Sequence, residues 1–144
     1  MGKKRVAVQK GTTVKNDISS RTLNRLSKKK LATGTLHVSA TFNNTKAVFT
    51  NNEGDALFWS SAGSLGFKGA KKGTPFAAGE VGNILGEKAK IIGIQDANVL
   101  ISGAGSGREP TVRSFMAHGI NLTSIKDVTP IAHNGPKKRK PRRV

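Results

Sequence analysis

Gly103, Gly105 and Gly107 alternate with Ala104 and Ser106 and run into Arg108 in the stretch GAGSGREP. The apolar run NVLIS precedes it and the helix-like TVRSFMAHG follows, so it reads as a strand, a tight loop and a helix N-terminus. Backbone N–H groups fanned out at such a loop bind anions, phosphate above all. A second stretch, LGFKGAKKGTPF, has the same ingredients. It sets Lys68, Lys71 and Lys72 among glycines, and ends in Thr74 and Pro75, an N-cap followed by a first-turn proline. The phosphate would belong either to a nucleotide or to the backbone of a nucleic acid.

A nucleotide site is poorly supported. The dinucleotide fingerprint is G-x-G-x-x-G and the chain has G-x-G-x-G; a P-loop needs G-K-[ST], and here Arg108 follows Gly107. One feature favours the fingerprint: Asp127, 20 residues beyond Gly107, falls where a ribose-binding acid would lie. Metal-assisted hydrolysis would need converging carboxylates. Asp55 reads as a turn residue, Glu80 and Glu87 as seven apart on a helix, and Asp96 as a loop residue. His37, His118 and His133 have no metal-binding spacing, and there is no cysteine. No catalytic residue, metal site or cofactor is expected.

Charge points to a longer anion. The net charge is +17, and residues 1–34 carry ten Lys or Arg against Asp17 alone. Residues 134–144 carry six bases and no acid, leaving the 99 residues between with nine bases and seven acids. This divides the chain into a basic extension over residues 1–33, a domain over 34–133 and a basic tail over 134–144. Such tails repel themselves and find their partner in polyanionic phosphate. No stretch approaches the roughly 20 apolar residues of a membrane span, so no membrane partner is expected. Six Phe and one Trp are too few for an extensive base-stacking surface, which leaves backbone and shape contacts to dominate.

The elements that must position these groups follow from periodicity. TLHVSATF alternates, with Leu36, Val38, Ala40 and Phe42 on one face, and KAVFT and DALFWSS follow after the turns NNT and NNEG. A helix from about Pro75 to Ile91 would bury Ala77, Val81, Ile84, Leu85 and Ala89. Its glycines at 79, 82 and 86 each cost about 1 kcal/mol relative to Ala, and would let the helix approach a sheet closely. ANVLISG reads as a fourth strand, EPTVRSFMAHG as a helix packing Val112, Phe115 and Met116, and INLTSIKDV as a fifth strand. The order β-β-β-α-β-α-β implies an α/β fold, a mixed five-stranded sheet flanked by two helices.

Four stretches, HVSATFNNT, SAGSLGFKGAKKGTPFAA, GSGREPTVRSFMAHGI and IKDVTPIAHNG, with the basic C-terminus behind them, resemble the small ribosomal subunit protein eleven family, the universal platform proteins. The resemblance runs from about Gly34 to the C-terminus. It implies a ribonuclease-H-like sheet without catalysis, in the cytoplasmic ribosome, bound to small-subunit rRNA beside other platform proteins and near the messenger path. It implies no homo-oligomer. By the same resemblance the RNA-contacting residues are Asn43, Asn44 and Thr45, then Lys68, Lys71 and Lys72 of the lysine loop, then Gly103, Gly105, Gly107 and Arg108. The tail adds His133, Asn134, Lys137, Lys138, Arg139, Lys140, Arg142 and Arg143. Two departures stand out. Ala104 and Ser106 occupy positions where the family usually has proline, which loosens the loop, and Pro136 begins PKKRKPRRV where bacterial members usually have Cys-Arg-Pro-Pro. Asn134 before Gly135 is a pair in which succinimide formation is chemically easy. Residues 1–33, with the helix-like SSRTLNRLSKKKLA, match less closely.

Overall fold

A computed structural model describes residues 30–143. The expected N-terminal extension therefore lies outside the described residues, apart from Lys30 to Thr33. Five strands, β1 (Thr33–Ala40), β2 (Thr45–Thr50), β3 (Ala56–Ser61), β4 (Asp96–Ser102) and β5 (Asn121–Asp127), form one sheet in the order β3-β2-β1-β4-β5. Helices α1 (Pro75–Ile92) and α2 (Arg108–Met116) connect β3 to β4 and β4 to β5, and a short 3-10 turn spans Gly69–Gly73. The sheet is mixed: β1 is antiparallel to β2 and parallel to β4, and β4 is parallel to β5. Fold class and element order agree with those read from the sequence.

Alternation in β1 buries Leu36, Val38 and Ala40, and these meet Ala47 and Phe49 of β2, Val99 of β4 and the inner sides of both helices. Phe49 stacks on Phe58 with ring centroids 5.1 Å apart and on Phe115 at 6.0 Å, pairs worth about 0.5–1.5 kcal/mol each beyond the area they bury. The helices cover one face of the sheet. Among the described residues, none of the helices is long and apolar enough to cross a membrane.

Helix α1 starts as its sequence dictates. The Thr74 hydroxyl accepts from the Ala77 N–H at 3.4 Å, Pro75 takes the first turn, and the helix stops at Gly93, which is left-handed at φ 91°. Its glycines serve a different neighbour from the one expected. A Cβ on Gly82 would lie 2.3 Å from the Thr111 carbonyl oxygen, and one on Gly86 would lie 2.2 Å from the His118 ring. The glycine stripe thus admits α2 and the turn after it, while Ala77, Val81, Leu85 and Ala89 face the sheet core.

Three expected core residues lie elsewhere. Phe42 is 82% exposed because β1 ends at Ala40: the Thr41 N–H donates to the Asn44 carbonyl at 2.9 Å, closing the hairpin one residue before Phe42 could join the strand. Met116 is 50% exposed, since α2 ends there and the Ala117–Gly119 turn carries the chain off the core. Ile84 is only half-buried, at the outer margin of α1.

Candidate nucleic-acid interface

The carboxyl ends of the parallel strands β1, β4 and β5 lie at one end of the sheet, beside the start of β2 and the end of β3. From β1 the chain leaves toward β2, from β4 toward β5. Ligands of open α/β sheets bind outside the strand ends at such a switch point. All four candidate segments emerge here, and the N-termini of both helices open onto the same end.

The glycine loop is built against its own chain. Gly103 has φ 97°, and its N–H donates to the Thr129 hydroxyl at 3.1 Å. The Gly105 N–H donates to the Ala40 carbonyl at 2.9 Å. A Cβ on Gly103 would come within 2.1 Å of the Ala40 oxygen, one on Gly105 within 2.3 Å of the Thr41 oxygen, and one on Gly107 within 2.1 Å of Thr45 Oγ1. The glycines therefore let β4, the loop and the β1–β2 hairpin touch. Ala104 and Ser106 face outward, and the Ser106 hydroxyl donates to the Gly73 carbonyl at 2.8 Å, tying the glycine loop to the lysine loop. Helix α2 begins at this loop without a side-chain cap, and with Pro110 third in its first turn the Arg108 and Glu109 N–H groups are the ones left open to an external acceptor.

Arg108 acts within the protein. One guanidinium nitrogen donates to the Gly103 carbonyl at 2.6 Å and another pairs with Asp127. Thr129 closes a ring: its hydroxyl donates to Asp127 Oδ1 at 2.5 Å while accepting from the Gly103 N–H. Arg108 is thus a strut between the glycine loop and the end of β5. Asp127, the one residue that favoured a ribose site, is occupied by the same strut. Glu109 pairs with Arg113 one turn on.

The ring makes a pH prediction. Hydrogen bonds from the Thr129 hydroxyl, then from Arg108 and the Thr129 N–H, hold the Asp127 carboxyl well below the usual carboxylate range. A depressed folded pKa contributes stability above the unfolded value, about 3.9, and loses it as pH falls through the folded value. The melting temperature of the parent should therefore drop more steeply below about pH 4 than that of Asp127→Asn, which lacks this linkage. Parallel melting curves of the two proteins from pH 7 to 2 would refute the ring's role.

The lysine loop differs from the glycine loop in having free charge. The 3-10 turn carries Lys71 and Lys72 at its end, and the Thr74 hydroxyl donates to the Lys71 carbonyl at 2.7 Å. Among the described residues the ion pairs are Arg108–Asp127 and Glu109–Arg113, so Lys68, Lys71 and Lys72 lack a carboxylate partner. At the hairpin, Asn43 is exposed, Asn44 half-buried and Thr45 buried. Among the described residues Asn44 Oδ1 and Thr45 Oγ1 have no hydrogen-bond partner. Beyond Thr129 the tail is exposed, His133 and Asn134 included, and its six bases follow from Lys137. Periodicity missed Phe42, which it placed in the core. The Asn43–Asn44 turn just after it was the signal that the strand had ended. Among the described residues no three His, Asp or Glu side chains gather to hold a metal.

Comparison with known proteins matches residues 34–143 to the family described as Ribosomal protein S11. The chain belongs to the ribosomal protein S11 family. Small ribosomal subunit protein uS11 of Solibacter usitatus (strain Ellin6076) is 50% identical over 117 residues, which cover 81% of this chain and 87% of that protein. As an S11 family member the chain is a structural constituent of the small ribosomal subunit, not an enzyme, and works in translation. Membership also implies rRNA and ribosomal proteins as its partners. In S11 terms the matched region takes in the whole sheet from Gly34, both loops and nearly all of the basic tail.

Proposed function

We propose that the chain binds the rRNA of the small-subunit platform and helps shape the messenger exit-site region. The observation that carries this is the convergence at one sheet end of the Asn43–Thr45 turn, the Lys68–Thr74 loop and the Gly103–Arg108 loop, at the end where the chain leaves β5 for the basic tail. Their roles differ. Lys68, Lys71 and Lys72 neutralise phosphates, as do Lys137, Lys138, Arg139, Lys140, Arg142 and Arg143. Asn43 and Asn44 supply amides at the hairpin tip, and Gly103, Gly105 and Gly107 with Arg108 hold the start of α2 against the RNA backbone. Acids are kept away. Glu53, Asp55 and Asp96 lie at the opposite end of the sheet, and the two carboxylates beside the glycine loop, Asp127 and Glu109, are paired with Arg108 and Arg113.

The experiment compares a platform rRNA fragment with duplex DNA of equal phosphate number. Replacing Lys68, Lys71 and Lys72 together by Ala should flatten the log-affinity versus log-salt slope for the fragment by about 2 to 3, at roughly 0.7 to 0.9 per phosphate contact, with the melting temperature unchanged. Equal affinity for fragment and duplex, or an unchanged slope, would remove the proposal.

A further inference from the structure

The sheet face opposite the helices is not covered by any described element. Strand pairing lines up Trp59, Val48, His37, Leu100 and Lys126 as a row across all five strands on that face. The next row toward the loop cluster is Ser61, Lys46, Ser39 and Ser102; the row on the other side is Thr50, Thr35, Asn98 and Ser124. None of these positions is Asp or Glu. Trp59, the only tryptophan, is 60% exposed on the edge strand β3. It lies opposite Val48 and diagonal to Lys46, a spacing within reach of an aromatic and a long side chain on one face.

We propose that this open face is a second RNA surface, on which Trp59 stacks on one unpaired base and Lys46 and Lys126 hold the phosphates flanking it. This rests on the rRNA reading above and adds to it a single-stranded segment and a base contact. The chemistry fits first: an exposed indole beside a lysine is a stacking platform with a phosphate anchor, and stacking accepts any base because each has a π face. Charge fits next. Neither lysine has a carboxylate partner among the described residues, and Asp96, which shares the face in register with Thr33, lies at the end away from the loop cluster, so the rows around Lys46 and Lys126 complement a polyanion. Position fits last, because Lys46 directly follows Thr45 of the hairpin, and RNA leaving the loop cluster meets the open face without a gap. An apolar protein partner would match Trp59, Val48 and Leu100, but apart from the buried Thr50 and Ser61 most of the remaining positions are accessible Ser, Thr, Asn or Lys, which suit a sugar–phosphate strand better.

Because Trp59 is the only tryptophan, its fluorescence reports on this face alone. Titrating the full chain with the platform rRNA fragment should quench its emission and lower its accessibility to acrylamide. Trp59→Ala should weaken binding roughly 5- to 150-fold, the loss of one base stack, and Trp59→Phe should recover part of it. The lysine-loop triple variant should bind more weakly yet quench fully at saturation, which separates the two surfaces. Tight binding that leaves Trp59 as accessible as in the free chain overturns the inference and spares the proposed function. Failure of the fragment to bind overturns both. Should Trp59 stay open in the fragment complex but become shielded in whole small subunits, a protein covers the face and the inference falls. If Trp59→Ala fails to fold, parent fluorescence decides alone.

Discussion

Replacing Gly103 by Ala should lower the melting temperature by about 10 °C or more. Two separate costs meet at that position. Its φ of 97° is a left-handed conformation that costs an L side chain about 1–2 kcal/mol. Its new Cβ would also lie 2.1 Å from the Ala40 oxygen and 2.9 Å from the Ala40 carbonyl carbon, backbone atoms of the central strand that cannot swing aside. Overpacking of that kind costs about 1–3 kcal/mol, and each kcal/mol shifts the melting point of a domain this size by roughly 3–5 °C. Two controls separate the terms. Gly54 shares the φ of 97° but has nothing within 4 Å of its would-be Cβ, so Gly54→Ala measures strain alone. Gly107 has an ordinary φ of −80° and a contact at 2.1 Å with the buried Thr45 hydroxyl, so Gly107→Ala measures crowding alone. Gly103→Ala should exceed either control. If it melts where Gly54→Ala melts, the close approach to β1 has no energetic weight.

These glycines mark where the sequence was legible and where it was not. A strand, a tight loop and a helix start could be read from NVLIS, GAGSGREP and TVRSFMAHG, because period and turn chemistry are local. The partner of the loop could not be read: Ala40 and Thr41 lie more than sixty positions earlier, and nothing in the spacing of three glycines says which backbone approaches them. The same limit explains Arg108. Nothing local to GSGREP shows that the sheet brings Asp127, 19 residues on, against its guanidinium. The Gly79, Gly82 and Gly86 stripe was correctly read as a close-packing surface and assigned to the wrong neighbour, since a helix periodicity does not tell a sheet from a second helix. Trp59 was legible only as one of few aromatics; its exposure depends on both helices choosing the other face of the sheet.

The basic tail should carry a large share of the salt dependence of RNA binding, and deleting residues 136–144 tests it without touching the fold. The cut lies beyond the last contacts that anchor the chain to the sheet, the Val128 N–H to the Ile101 carbonyl at 2.8 Å and the Gly103 N–H to Thr129. The melting temperature should therefore hold. A matching deletion of residues 1–34 is a poorer test, because β1 begins at Thr33 and the cut would clip the central strand. Six positive charges leave with the tail. At roughly 0.7 to 0.9 per phosphate contact, the log-affinity versus log-salt slope should flatten by up to about 4 to 5. Between 50 and 200 mM salt the advantage of the full chain over the truncated one should then shrink roughly 300- to 2,000-fold. Because the tail leaves β5 at the loop end of the sheet, its phosphates adjoin those held by Lys68, Lys71 and Lys72. Combining the truncation with the triple lysine variant should consequently leave a residual slope set by the hairpin, the start of α2 and the first 34 residues. A truncated chain whose slope matches the parent's would mean that the six bases meet solvent rather than phosphate, and binding would then rest on the loops and the N-terminal segment.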